Sequence, residues 1–300
     1  MAKNKVAIFN INGGIGKTIA ATAVCKAIKK KYPEHNLYVI SGYPEVFLNN
    51  PSVHRAYGFG QASYFYSDVV ENNEVVLFAH DPYMDTLFVP QDKHLIQIWC
   101  EMFDIPYEGE KPELFLTDRE IKFNQSKFTS DRPIFLLQTN GGGGGENAPK
   151  YSWARDIPAS VVVKVIEEFG DTFNMVHIRR PDQIAFEKTF SVSDNFRSIA
   201  VLISMSNTRL LMDSFAQHAA AAFGLQSTVL WIANSPTVFG YDIHNNIQSN
   251  PHTTKPELKD SYLTKFDIGG NALQFPYNNE DEIFDADKII AAVKESLTIQ

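Results

Sequence analysis

The chain predicts an α/β protein made of two strand–helix series, like two similar domains facing each other. Three observations carry this. Residues 5–40 alternate strand, glycine turn, helix and strand. A second strand-rich series begins at Pro133, after a stretch of different texture. Late in the chain, Leu211-Met212-Asp213-Ser214-Phe215-Ala216-Gln217-His218-Ala219-Ala220-Ala221-Ala222-Phe223-Gly224 runs from apolar strand through an acid into an alanine-rich helix.

In the first series, Lys5-Val6-Ala7-Ile8-Phe9-Asn10 is a strand and Asn12-Gly13-Gly14-Ile15-Gly16 a glycine turn. Residues 18–31 read as a helix, with Ile19, Ala23, Cys25, Ala27 and Ile28 on a mostly apolar side and lysines closing it. Tyr32-Pro33 ends it, and Leu37-Tyr38-Val39-Ile40 is the next strand, so the unit is parallel and right-handed. Residues 50–57 return to the sheet edge. Val75-Val76-Leu77-Phe78-Ala79 is a further strand ending at His80-Asp81, and residues 94–103 form a helix.

The linker lies within residues 108–132. Pro133-Ile134-Phe135-Leu136-Leu137-Gln138 then opens the second series. Five glycines, Gly141 to Gly145, follow that strand directly. Composition alone makes them a flexible loop, but the carboxyl end of a strand is where ligand loops sit in open parallel sheets. Residues 158–169 are a helix, 174–178 a strand, 196–204 a short helix, 228–232 a strand and 285–297 a closing helix. Asn234-Ser235-Pro236 is a turn.

Of the 300 residues, 44% are apolar and 21% charged, as in an ordinary globular chain. The net charge of −8 argues against broad binding to nucleic acid. Cys25 and Cys100 have no metal-ligand spacing, so neither a disulfide framework nor a zinc site is expected. No signal peptide and no apolar run of membrane-spanning length is visible, which makes the cytoplasm the expected location.

Two stretches carry chemistry. At the first turn of the alanine-rich helix, Asp213 or Ser214 can cap free N–H groups. His218 sits about one turn in, and Gly224 suits the left-handed residue after the end. Such a helix start suits a phosphate. The second stretch, Asn12-Gly13-Gly14-Ile15-Gly16-Lys17-Thr18, nearly spells a phosphate loop. It resembles the deviant form of partition-type ATPases except that Asn12 replaces their signature lysine. That family's next strand ends in metal-linked acids, whereas Ser41-Gly42-Tyr43-Pro44 follows here.

A broader resemblance covers nearly the whole chain. Asp213, Ser214, His218, Ala220, Ala221, Ala222 and Gly224, then Ala233-Asn234-Ser235-Pro236, resemble the donor-diphosphate segment of heptosyltransferase-type glycosyltransferases. Phe215 stands where that family has glycine. In the same order come Gly13-Gly14-Ile15-Gly16, Tyr32-Pro33, Leu48-Asn49-Asn50-Pro51-Ser52-Val53-His54-Arg55, Lys111-Pro112-Glu113-Leu114 and Arg155-Asp156-Ile157-Pro158. The last resembles the family's Lys-x-Trp-Pro, whose lysine contacts donor phosphate. One departure matters: Lys17 stands where the family has its catalytic Asp.

The resemblance implies two Rossmann-like domains facing across a cleft, a GT-B-like fold. Residues 1–130 would be the acceptor side and 131–284 the nucleotide-sugar domain, with helix 285–300 crossing back to the first. It implies inverting transfer of a sugar from a nucleoside-diphosphate sugar to an acceptor hydroxyl on lipopolysaccharide core or another glycan; the acidic balance and the missing Asp leave room for a different acceptor, such as a modified base in phage DNA. Arg155, Asp213, Ser214, Phe215, His218 and Ser235 would bind the donor. Gly13, Gly14, Gly16 and Lys17 would face the acceptor, with Lys17 holding an acceptor phosphate or carboxylate, or the donor diphosphate. A base in place of the missing Asp would come from His80, Asp81 or Asp85. No cofactor or metal is expected, because cations and N–H groups can stabilise the leaving diphosphate. The alternatives are the partition-type ATPase and a non-catalytic relative that binds nucleotide sugars.

Overall fold

The computed structural model describes residues 4–141, 151–251, 255–259, 261, 264 and 274–298. The chain divides into two compact units, Met1–Asp118 and Arg119–Gln300.

In the first unit the elements are β1 (Lys5–Ile11), α1 (Ile15–Lys31), β2 (Asn36–Ser41), β3 (Arg55–Gly58), β4 (Glu74–Phe78) and α2 (Leu95–Met102). The sheet order is β3-β2-β1-β4, and every pair is parallel. Parallel strands put all their carboxyl ends on one edge, so the connections after residues 11, 41, 58 and 78 share that edge. Helix α1 is buried over most of its surface, not on one side only. The sheet covers one side and α2 packs on another; α2 also reaches the sheet, where Trp99 meets Phe9 of β1 edge-on at 5.3 Å. Glu113 N also donates to Thr22 Oγ1 at 2.8 Å, laying the segment before the boundary along the same helix.

The second unit holds α3 (Asp118–Phe128), β5 (Ile134–Leu137), α4 (Ala159–Phe169), β6 (Asn174–Ile178), β7 (Phe190–Val192), α5 (Phe196–Met205), β8 (Thr208–Met212), α6 (Phe215–Ala222), β9 (Thr228–Trp231), α7 (Pro236–Phe239), β10 (Asn245–Gln248) and α8 (Ala286–Thr298). Its sheet, β10-β9-β8-β5-β6-β7, is wholly parallel. Strands β5 and β8 are buried at every residue, as expected of central strands with both faces covered.

Two boundary expectations shift. The stretch expected to be linker contains helix α3, which is tied to α5. Arg197 clasps Glu120 with Nε–Oε1 and Nη2–Oε2 at 2.7 and 2.9 Å, and Lys127 Nζ meets Asp194 at 3.0 Å. The division therefore falls after Asp118 rather than near residue 130. Helix α8, expected to cross back to the first domain, buries Ile289 and Val293 in the core of the second unit with Val161, Val165 and Phe135. No helix among the described residues is long and apolar enough to cross a membrane.

Two buried histidines give this unit a pH response. His177 on β6 is fully buried, and burial above all, with Arg179 adding to it, lowers its pKa to about 4. His244 is lowered to about 4, again chiefly by burial. Each is neutral in the folded chain, with its Nε2 engaged by Thr139 Oγ1 (2.8 Å) and Gln217 O (2.9 Å) respectively. The unfolded imidazole titrates near 6.5 and takes up its proton first. Their contribution is therefore complete above pH 6.5 and is lost as pH falls from there toward about 4. A melting-temperature series across that window is expected to drop steadily, and His244→Gln should flatten it. An unchanged pH slope in that variant would refute the assignment.

Candidate functional site

In the first unit the glycine turn joins β1 to α1. Gly13 has φ +114°, where a side chain is strained, and a Cβ there would meet Lys17 Cδ at 3.0 Å. Gly14 precedes the helix and Gly16 lies in its first turn. Thr18 Oγ1 donates to Gly14 O at 3.2 Å.

Lys17 does not point out of this turn. Its side chain is only 5% exposed, and its Nζ lies 2.6 Å from Asp81 Oδ1. The ammonium also sits 4.2 Å from the centre of the Tyr83 ring and 5.4 Å from Trp99. Burial pulls its pKa below the ordinary lysine value, while the bond to Asp81 and that residue's charge pull the other way. Asp81 Oδ1 also accepts from Tyr83 N at 3.0 Å. Both contacts fall on Oδ1, which leaves Oδ2 for another donor, and the carboxylate side chain is 27% exposed.

The three acidic or basic candidates after β4 thus separate. Asp85 uses its Oδ1 to accept from Leu87 N at 2.9 Å, a local turn cap. His80 is exposed. Asp81 is the one joined to Lys17, because β1 and β4 are sheet neighbours and their connections emerge side by side.

In the second unit, β8 ends at Asp213 and Ser214 precedes α6. The cap expected from Asp213 or Ser214 comes from neither. Ser214 Oγ makes no bond to the helix; it accepts from Gln138 Nε2 at 3.1 Å. The Ala216 N–H instead donates to Gln138 Oε1 at 3.3 Å. Gln138 follows β5, the strand beside β8, and is 3% exposed. Nothing local in the sequence marks it, since the two partners are 78 residues apart. Gln138→Ala is expected to cost about 1 kcal/mol, a typical cap value, and to speed amide exchange at Ala216. Wild-type exchange there would mean the helix start does not need this side chain.

Asp213 is 5% exposed and faces elsewhere. Its Oδ2 accepts from Asn234 Nδ2 and lies 3.4 Å from Arg155 Nε. Its carbonyl accepts from Arg155 Nε and Nη2 at 3.2 and 2.6 Å. The guanidinium is therefore fixed beside the start of α6 with 38% of its side chain exposed. A cation and free helix N–H groups converge there, the combination that suits a phosphate.

A cavity of about 170 Å³ adjoins this place, lined by Gln138, Asn140, Gly141, Arg179, Ser214 and Phe215 among others. Phe215 also meets Phe196 edge-on at 6.3 Å. Of the five glycines, Gly141 is described and Gly142 to Gly145 lie outside the described residues. Asp156, which the sequence reading passed over, anchors Gly141. Its Oδ1 accepts from Gly141 N at 2.9 Å, and its Oδ2 accepts from Asn140 Nδ2 at 3.0 Å and Ser152 N at 2.8 Å. Burial raises this carboxyl's pKa, and those three bonds oppose the rise.

His218 is buried, with Nδ1 2.8 Å from Tyr241 Oη. Ser235 Oγ accepts from Thr237 N at 3.2 Å and so caps α7. A larger open hollow of about 560 Å³, among Lys164, Asp281, Glu282 and Asp285, contains none of these residues.

No protein-family model matches the chain, and no curated protein matches it. Solved structures do. A family 9 glycosyl transferase from Veillonella parvula matches with a TM-score of 0.69 at 11% identity, over 99% of this chain and 98% of that one. The E. coli ADP-heptose lipopolysaccharide heptosyltransferase II matches at 0.68 and 11%, over 98% and 99%. An iron-containing dodecameric glycosyltransferase from enterotoxigenic E. coli matches at 0.68 and 12%, over 99% and 77%. At these identities the likeness is one of fold, and the α/β architecture of this chain is, over nearly its whole length, that of the heptosyltransferase-type glycosyltransferases.

Proposed function

We propose that the protein is an inverting glycosyltransferase that moves a sugar from a nucleoside-diphosphate sugar to an acceptor hydroxyl. The observation that carries this reading is the arrangement of Arg155 and the start of α6 beside a cavity at the carboxyl edge of the second sheet. The donor diphosphate would lie against the free N–H groups at Ser214 and Phe215, with Arg155 as a further donor. These groups stabilise the charge that builds on the leaving diphosphate, and the reading assigns no part to a metal. The buried His218, engaged with Tyr241, supports the helix rather than the phosphate.

Asp81 serves as the base in this reading. The acceptor O–H proton passes to Asp81 Oδ2 as the acceptor oxygen bonds to the anomeric carbon. The bond from that carbon to the phosphate oxygen breaks, and its electron pair leaves with the diphosphate. Lys17 holds Asp81 in place. This differs from a phosphate-loop lysine, which must reach a phosphate; the Lys17 ammonium is spent on a carboxylate and two aromatic rings. The geometry therefore does not favour the ATPase alternative.

Two of the neighbours are named for ADP-heptose, one as a lipopolysaccharide heptosyltransferase and one as a complex with ADP-heptose. A glycan acceptor is the corresponding proposal here, and use of a nucleotide sugar fits a cytoplasmic location. Calorimetry with a panel of ADP-, GDP-, UDP- and CDP-sugars tests the reading. At least one is expected to bind and to support donor-dependent transfer. ATP hydrolysis without any acceptor, in the absence of nucleotide-sugar binding, would replace it with the ATPase.

A further inference from the structure

The carboxyl edge of the first sheet carries more than the Lys17–Asp81 pair. The connections after β3, β2, β1 and β4 emerge there in that spatial order. They bring Phe59, Gly42-Tyr43, Asn12-Gly13-Gly14 and His80-Asp81 to one margin. Three strand spacings separate the first from the last, about 14 Å, room for a short run of sugar rings. Phe59 is 48% exposed although it is a large apolar side chain. Its ring packs over the next strand's end, where a Cβ on Gly42 would lie 3.7 Å from Cε2. Tyr43 beside it is half-buried, and Asn12, Gly13 and Gly14 are exposed. An exposed ring, bare glycine backbone and a partly open carboxylate thus share one margin.

The charge at this margin is the second observation. Lys17 is neutralised by Asp81 at 2.6 Å, and Lys93, before α2, by Glu101 at 2.6 Å. The same connections carry the acids Asp85 and Asp92. An anionic acceptor would meet acids and matched lysines. A neutral sugar would meet an aromatic face for its C–H surface and carboxylate oxygens for its hydroxyls.

We propose that the carboxyl edge of the first sheet is a binding site for an uncharged glycan, seated on Phe59 and Tyr43 with a hydroxyl directed to Asp81. The site deepens the glycosyltransferase reading, on which its role as the acceptor site rests. It also replaces the expectation that Lys17 captures an acceptor phosphate or carboxylate.

Saturation-transfer NMR with cellobiose, maltose and lactose, and with their uronate and phosphate counterparts, tests it without any donor. At least one neutral disaccharide is expected to bind, unaffected by salt, and more tightly than its charged counterparts. Phe59→Ala should weaken that binding about tenfold or more, from the loss of an apolar contact, while Phe59→Tyr retains it. Calorimetry of the same variants with the nucleotide-sugar panel should show unchanged donor affinity. The proposal is overturned by tighter binding of a charged counterpart, by no signal from any neutral disaccharide, or by wild-type binding in Phe59→Ala. Neutral-sugar binding lost in Phe59→Ala, together with no nucleotide-sugar binding at all, would sustain the glycan site and sink the glycosyltransferase reading instead.

Discussion

Asp81→Asn is expected to slow sugar transfer by about 10²–10⁴-fold, the usual contribution of a positioned general base, while donor affinity stays at the wild-type value. The amide keeps the shape of the carboxylate but cannot take the acceptor's proton. It also weakens the attraction to Lys17 Nζ, now 2.6 Å away, so Lys17 loses the partner that offsets its burial. Lys17→Ala should act through Asp81: kcat falls, and the donor Kd is unchanged. A separate control distinguishes the ATPase alternative, in which Lys17→Ala abolishes ATP binding and Asp81→Asn has no effect on sugar transfer because there is none. Full transfer activity in Asp81→Asn would remove Asp81 from the mechanism.

Arg155→Ala is expected to weaken binding of the nucleoside diphosphate by about 10- to 150-fold, since a charge-assisted bond contributes roughly 1.5–3 kcal/mol. Binding of the bare nucleoside should change little. The guanidinium earns this selectivity from its place: two of its nitrogens hold the Asp213 carbonyl, which fixes the planar group beside the helix start. Arg155→Lys should recover only part of the loss, because one ammonium cannot repeat the paired contact to the carbonyl while facing a phosphate. Equal losses for nucleoside and nucleoside diphosphate would show that Arg155 is not the phosphate clamp.

Long apolar runs made the first three elements and the β8–α6 stretch legible in the sequence. Strands β7 and β10 were not: one has three residues and the other reads Asn-Asn-Ile-Gln. Such edge strands are specified by their neighbours more than by propensity. Helix α3 reads as polar linker because its hydrophobic residues are few; its attachment comes from Glu120 meeting Arg197 on α5 and Lys127 meeting Asp194 just before it. At the candidate site, Arg155, Asp213 and His218 stand out because they fall in stretches that resemble the heptosyltransferase-type family's donor segments. Gln138, Asp156 and Tyr241 were not, since their partners are brought in by sheet order or by a chain reversal rather than by a motif. Lys17 and Asp81 were each named, but their pairing joins residues 64 apart and only the β1–β4 neighbourhood reveals it.

The cap on α6 also has a kinetic meaning. An eight-residue helix is too short to persist by itself in water. Its first turn gains a hydrogen-bond acceptor only when β5 has docked beside β8, because the Gln138 side chain arrives from that strand. Closing this separation carries a chain-entropy cost that must be met before the helix start is secured. The place proposed to hold the donor phosphates therefore draws this bond from sheet assembly rather than from its own local sequence.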